Sequence, residues 1–127
     1  WYALDDDHPQ KPELEDRVKR LTADVVKLQR ANGGWGWNLT NPHAATDSSA
    51  TAMLAWFLTR AAAVAEIREV AIAARERALV RLMSATRRDG VIDFSQGDTK
   101  DIGVHSQLFD IMPFTQGFAL RCVAHKL

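Results

Sequence analysis

The sequence predicts an all-α protein built of antiparallel helix hairpins that pack side by side. Apolar residues recur at helical spacing in four stretches, and amphipathic helices alternate with helices that are almost wholly apolar. The order outer helix, turn, loop, inner helix occurs twice, and the glycines that end the two outer helices, Gly33 and Gly90, are 90 − 33 = 57 residues apart. Such units stack because one hairpin alone cannot bury its apolar face.

The first outer helix is expected near residues 12–32. Pro12 suits the first helical position, acidic residues follow it, and Gly33 is expected to end the helix. Its apolar stripe consists of Leu14, Val18, Leu21, Val25 and Leu28.

An inner helix is expected at 48–64, capped by Asp47 or Ser48 and buried on all sides because it is apolar nearly all round. A second outer helix is expected at 66–86, with a stripe of Ile67, Ala71, Ala74, Ala78 and Leu82. A long loop from Val91 to Pro113 precedes a last inner helix at 115–126, for which Thr115 is the expected cap. Little or no regular sheet is expected.

The bulk properties limit the function classes. The 127 residues suffice for one domain, 1–127, and 16 basic residues balance 16 acidic ones. Zero net charge removes the electrostatic argument for nucleic acid or an anionic membrane as partner, and no apolar run reaches the roughly 18 residues of a membrane span. Cys122 is the only cysteine, which favours a reducing, cytoplasmic compartment and a core role for that thiol. Histidines are scattered, so we expect neither a metal nor a cofactor.

The chain begins at Trp1 and holds about two and a half hairpin units, fewer than the roughly three that such stacks need. We therefore expect it to be the C-terminal part of a larger molecule.

The turn "ANGGWGWN", residues 31–38, carries two tryptophans at alternate positions. Alternate side chains of an extended segment point to opposite faces, so at most one of Trp35 and Trp37 can be explained by packing on the preceding helix. The other is expected to face away from that helix.

Three segments resemble the C-terminal half of unsaturated glycuronyl and rhamnogalacturonyl hydrolases, glycoside hydrolase families 88 and 105. They are "DDDHPQKPELEDRVKRLTADVVKLQRANGGWGWNLTNPH", "TDSSATAMLAWFLTRA" and "QGDTKDIGVHSQLFDIMPFTQGFALRCVA". The resemblance implies a partial (α/α)6 toroid of inner and outer helices. It also implies removal of a terminal unsaturated uronic sugar from polysaccharide-lyase products by hydration of the C4–C5 double bond, with an aspartate as general acid and base. That aspartate precedes the matched region, so no residue of this chain inherits the role.

In such a toroid the loops that enter inner helices gather around one mouth, which gives a candidate substrate site for an unsaturated uronide oligosaccharide. Trp37 or Trp35 is expected to stack on a sugar ring, Lys100 to meet the substrate carboxylate, and His105 to assist proton transfer. The free N–H groups that begin the last helix at Gln116 and Gly117 are expected to favour an anion. The full set of expected substrate-binding residues is Trp35, Trp37, Asp47, Ser48, Gln96, Asp98, Lys100 and Gln116.

Two alternatives stay open. "LQRANGGWGW" is similar to the Gln-Trp repeat of triterpene cyclases, another class of α/α-toroid, although the turn at Gly90 lacks both residues. A non-catalytic helical interaction module is the other alternative, and the apolar helix faces predict self-association.

Overall fold

The structure is a computed structural model that describes residues 1–97, 104 and 108–125, and in these ranges it is predominantly helical. This confirms the predicted all-α class. The helices are α1 (Lys11–Lys27), α2 (Ser48–Ala61), α3 (Arg68–Ser84) and α4 (Pro113–Ala124), and a short 3₁₀ helix, Ala65–Ile67, leads into α3. Two antiparallel strand pairs accompany them: β1 (Trp35–Gly36) with β2 (Thr46–Asp47), and β3 (Ser95–Gln96) with β4 (Phe109–Asp110). No helix in the described ranges is long and apolar enough to cross a membrane.

The outer helices and their turns repeat with a constant offset. Helices α1 and α3 both have 17 residues, and their starts and ends are 68 − 11 = 84 − 27 = 57 residues apart. The backbone N–H of Arg30 donates to the Gly34 carbonyl at 3.0 Å, and that of Arg87 donates to the Val91 carbonyl at 2.8 Å. Both pairs also differ by 57 residues, so the hairpin repeat predicted from the glycine spacing is confirmed down to its hydrogen bonds.

Helix α1 ends at Lys27, so the predicted end near residue 32 is wrong. The cause is Trp35, whose indole N–H donates to the Val25 carbonyl at 2.8 Å. That carbonyl would otherwise accept the N–H of Gln29, which bonds instead to Val26 in a tighter turn. Gly33 lies in the turn that follows and does not itself end the helix.

Helix α4 begins two residues before its predicted cap. Pro113 takes the first helical position, where its missing N–H costs nothing, and Met112 precedes it without a side-chain cap. The Thr115 hydroxyl instead shares a 2.7 Å hydrogen bond with the Ser95 hydroxyl. Thr115 is therefore a buried link to β3, and the prediction that it caps the helix is wrong.

The core lies where α2 packs against α3 and α4, and the expected stripe of α3 is buried there from Ala71 to Leu82. Two expectations about burial are wrong. Met53 of α2 is 46% exposed, so this helix is not buried on all sides. Leu21 of α1 is 50% exposed, because the helix is rotated so that Thr22 takes the buried position beside Val25.

A buried arginine joins three helices. The Nε of Arg75 on α3 donates to the Thr59 hydroxyl on α2 at 3.1 Å, and one terminal nitrogen donates to the Cys122 carbonyl on α4 at 2.6 Å. Burial raises the pKa of the Cys122 thiol, and its Sγ lies 3.7 Å from the Ala52 carbonyl oxygen. Cys122 is thus an unreactive core residue, as expected from its apolar surroundings in the sequence.

Candidate functional site

The loops that enter α2 and α4 meet at the N-terminal ends of these helices. Strand β1 pairs with β2 so that Trp35 lies opposite Asp47, the residue immediately before α2. The backbone N–H of Ser48 donates to the Phe94 carbonyl at 3.0 Å, which brings the second loop to the same place. We call this meeting point, residues 35–37, 46–48 and 94–96, the loop junction.

Asp47 is the centre of the loop junction and is only 4% exposed. Its Oδ1 accepts the backbone N–H of Ser49 at 2.9 Å and that of Gln96 at 3.0 Å. Its Oδ2 accepts the Ser49 hydroxyl at 2.7 Å and the Ala50 N–H at 3.2 Å. One carboxylate therefore caps α2, as the sequence predicted, and also holds the second loop against it.

This cap changes the electrostatic expectation for the site. A helix N-terminus ordinarily attracts an anion, but at α2 Asp47 and the Phe94 carbonyl already accept the backbone N–H groups of Ser48, Ser49 and Ala50. The full negative charge of Asp47 also exceeds the roughly half positive charge of a helix N-terminus. A substrate anion at the loop junction must therefore be met by a side-chain cation.

The two tryptophans of the first turn have different surroundings. Trp35 has no exposed surface, because its ring lies in the core among α1 and α2. Trp37 is only partly buried, and its backbone N–H donates to the Ala45 carbonyl at 3.2 Å. Trp35 thus packs in the core. Of the two tryptophans, only Trp37 has exposed surface, so the prediction that a tryptophan stacks on a sugar ring now concerns Trp37 alone.

Gln116 binds the chain rather than open space. Its side chain accepts the Ile92 N–H at 2.9 Å and donates to the Ile92 carbonyl at 2.7 Å. Thr51 has the same role in the first unit, where its hydroxyl accepts the Trp35 N–H at 3.2 Å. Because α4 begins earlier than expected, the Gln116 N–H is also used, by the Met112 carbonyl. The expectation that this N–H is free for an anion is wrong.

The remaining predicted residues divide into two groups. Gln96 is partly buried in β3, and Ser48 is buried in the first turn of α2, so both lie at the loop junction with Asp47. Three residues lie outside the described ranges, namely Asp98, Lys100 and His105.

The sequence prediction missed two residues, one in the loop junction and one whose side chain reaches it. Phe94 is 53% exposed and has a φ of 62°, a left-handed conformation that is costly for a side chain of this size and occurs preferentially at functional sites. In the repeat it corresponds to Trp37, since 94 − 37 = 57, and this correspondence was the available signal.

Arg30 is the second missed residue. Its guanidinium donates to the carbonyls of Ala44 and Asn41, the latter at 3.1 Å, and it passes so close to Gly36 that a Cβ there would meet it at 2.1 Å. All its described acceptors are neutral, so its positive charge stays uncompensated beside Gly36. Nothing local in the sequence distinguishes it from Arg87 at the same place in the second unit.

In the described part of the chain, no three His, Cys, Asp or Glu side chains are grouped so that they could hold a metal ion.

Comparison with known proteins settles the family. The model of Glycosyl Hydrolase Family 88 matches residues 2–125. The chain belongs to this family. No curated protein matches the chain significantly.

Two crystal structures resemble this family 88 chain. One is from Salmonella enterica serovar Paratyphi A, with 21% identity and a TM-score of 0.80. The matched region covers 94% of this chain and 33% of the Salmonella chain. The other is from Klebsiella pneumoniae, with 21% identity and a TM-score of 0.78. The matched region covers 94% of this chain and 32% of the Klebsiella chain. Both bear the description of a possible member of family GH105. The likeness confirms the α/α-toroid fold, of which this chain spans about a third.

Proposed function

We propose that this chain forms one part of the substrate mouth of a toroidal glycoside hydrolase that acts on unsaturated uronides. The observation that carries the proposal is the loop junction, where Asp47 joins the entrance loops of two successive inner helices. This arrangement puts Trp37, Phe94 and Arg30 at one end of the helix layer. Membership of family 88 supports a carbohydrate as the substrate.

Each of these residues suits part of an unsaturated uronide. The partly buried ring of Trp37 and the exposed ring of Phe94 offer apolar surface for a sugar face. The guanidinium of Arg30 is held by neutral carbonyls and can add a charge-assisted hydrogen bond to a carboxylate. The resemblance implies that an aspartate outside these residues protonates the double bond while water adds to it.

The isolated 127-residue chain is expected to bind an unsaturated glucuronyl disaccharide without turning it over. Turnover would remove the ultraviolet absorbance of the conjugated double bond, whereas binding alone leaves it unchanged. In an NMR titration we expect shifts to concentrate at Trp37, Phe94 and Gln96, and Trp37→Ala to weaken binding about tenfold, in line with about 1.4 kcal/mol for a lost aromatic contact.

Thr40→Ala, in the exposed loop beyond Trp37, is the control and should bind as the unaltered chain does. Hydrolysis by the pure chain would disprove the assignment of the general acid to another region. Absence of any shift at the loop junction at millimolar ligand would disprove the mouth itself.

One observation favours an additional interaction role. Exposed apolar side chains of α3 and α4, among them Val80, Met83 and Val123 at 66%, 74% and 72%, flank a cavity of about 330 Å³ between the helices. Stable monomers seldom leave such a face uncovered. We propose that this face packs against another helical hairpin, which in the isolated chain is supplied by a second copy.

The chain is therefore expected to self-associate in solution. Sedimentation velocity over a hundredfold range of concentration should show dimers, and Met83→Glu with Val123→Glu should return the chain to a monomer because two charges would be buried in an apolar contact. Leu21→Glu on α1, at a residue 50% exposed, is the matched control and should leave association unchanged. A monomer at every concentration would contradict the expectation.

A further inference from the structure

A second cavity lies at the opposite end of α2 from the loop junction. It has a volume of about 340 Å³, and its lining includes Tyr2, Thr59, Arg60, Ala62, Arg68 and His125. Helix α2 has 14 residues, so the two ends are separated by roughly 21 Å at about 1.5 Å per residue. The cavity is therefore distinct from the proposed substrate mouth, and a ligand could bind there whether or not that mouth binds an uronide.

Unpaired positive charge is concentrated around this cavity. Arg60 and Arg68 line it, and the Cζ of Arg121 lies 5.6 Å from the centroid of the Trp56 ring, which Arg60 also contacts. Within the described ranges, none of these three guanidinium groups forms a salt bridge with a carboxylate, and no acidic side chain lines the cavity. Arg68 donates its Nε to the Ala62 carbonyl at 3.1 Å, which leaves its terminal nitrogens for other acceptors.

Aromatic rings hold Arg60 in place. Its Cζ lies 3.1 Å from the centroid of the Tyr2 ring and 5.3 Å from that of Trp56. The His125 ring packs edge-on against Trp56, with centroids 5.7 Å apart. No hydrogen-bond acceptor contacts the Arg60 side chain in the described part of the protein, so its donors are oriented by stacking but unused. A guanidinium fixed in this way loses little entropy when it binds.

The helix ends do not cancel this charge. Basic residues near a helix C-terminus offset its partial negative charge, which is about half an electron charge for each helix. The ends of α2 and α4 together supply about −1, whereas Arg60, Arg68 and Arg121 supply +3. Burial lowers the pKa of Arg60, because desolvation penalises the charged form.

We infer that this cavity binds the carboxylate or phosphate group of a small organic anion between Arg60 and Arg68. A planar guanidinium matches both groups with paired N–H donors. Ala62, Ala63 and Ile72 provide an apolar surface for the body of the molecule. The volume falls within the roughly 300–1,000 Å³ typical of small-molecule sites.

The test is an NMR titration of the 127-residue chain with glucuronate, inorganic phosphate and uncharged glucose. We expect saturable shifts at Thr59, Ala62 and Ala63 with both anions and none with glucose. Tighter binding of glucuronate would identify an organic carboxylate as the better ligand, and tighter binding of phosphate would identify the phosphate group. Arg60→Gln and Arg68→Gln should each weaken binding about tenfold or more.

Arg88→Gln is the matched control, because it removes one exposed arginine charge at the other end of α3 and should leave binding unchanged. Arg60→Lys separates charge from geometry and should bind more weakly than the unaltered chain but more tightly than Arg60→Gln. Circular dichroism checks the fold of each variant, and if Arg60→Gln unfolds, the shifts of the unaltered chain and of Arg68→Gln decide. Shifts that do not saturate, that occur equally with glucose, or that weaken equally in Arg88→Gln would overturn the inference.

Discussion

Replacement of Asp47 by alanine is expected to lower the free energy of unfolding by about 3 kcal/mol or more. The variant leaves four donors without the carboxylate that accepts them, at the N–H groups of Ser49, Ala50 and Gln96 and the Ser49 hydroxyl. Hydrogen bonds to a charged group contribute roughly 1.5–3 kcal/mol each, but bonds that share one acceptor group are not additive. A loss of this size is a large fraction of the roughly 5–15 kcal/mol that stabilises a typical domain.

Two controls separate this effect from the loss of an ordinary aspartate. Asp89→Ala, at the second turn, removes a 3.2 Å hydrogen bond from the Val91 N–H and an exposed ion pair with Arg87, so it should cost less than about 1 kcal/mol. Asp47→Asn keeps one carbonyl acceptor and should fall between the two. Urea unfolding of the three variants measures the differences, and equal losses for Asp47→Ala and Asp89→Ala would show that Asp47 does not hold the second loop.

The sequence was informative wherever structure depends on neighbours along the chain. Apolar spacing located the helices, and the aspartate before "SSATAM" predicted the cap of α2. The repeat of Gly33 and Gly90 predicted two hairpins whose turns have the same hydrogen bonds. Each of these features is specified within a few residues, where propensity and turn geometry act directly.

Contacts between distant segments left no comparable signal. Asp47 and Gln96 are 49 residues apart, and Arg75 and Cys122 are 47 apart. The sequence motif of a helix cap is the same whether or not Asp47 also accepts the N–H of Gln96. The sequence therefore predicted that Asp47 caps α2 but not that it binds the second loop. Likewise, Arg75 lies among other charged residues of α3, and this pattern does not show that its side chain is buried. Its hydrogen-bond partners lie on the other helices α2 and α4.

The end of α1 shows how a tertiary contact overrides a local pattern. Apolar periodicity continues to Leu28 and polar helix formers follow, which favoured an end near residue 32. The indole N–H of Trp35 takes the Val25 carbonyl and ends the helix at Lys27. The turn that carries two tryptophans thus uses one of them to set the length of the preceding helix and leaves the other at the loop junction.

The repeat offers a sharper test through its two glycines. Gly33 and Gly90 have φ values of 84° and 85°, so alanine at either position carries the same left-handed strain of about 1–2 kcal/mol. Their surroundings differ. A Cβ on Gly33 would lie 2.3 Å from the Arg77 carbonyl oxygen of α3, whereas a Cβ on Gly90 would meet no atom within 4 Å.

Gly33→Ala is therefore expected to cost more than Gly90→Ala by about 1–3 kcal/mol, the usual cost of forcing extra volume into a packed contact. The Arg77 carbonyl belongs to the backbone of α3, and Gln29 holds the turn against that helix through a 2.8 Å bond to the Ala74 carbonyl. Neither side can move away without breaking hydrogen bonds. Because strain in the left-handed region is common to both variants, the difference between their urea unfolding free energies isolates the contact. Equal costs would mean that the first turn does not pack on α3 as described, and the loop junction that depends on this turn would lose its support.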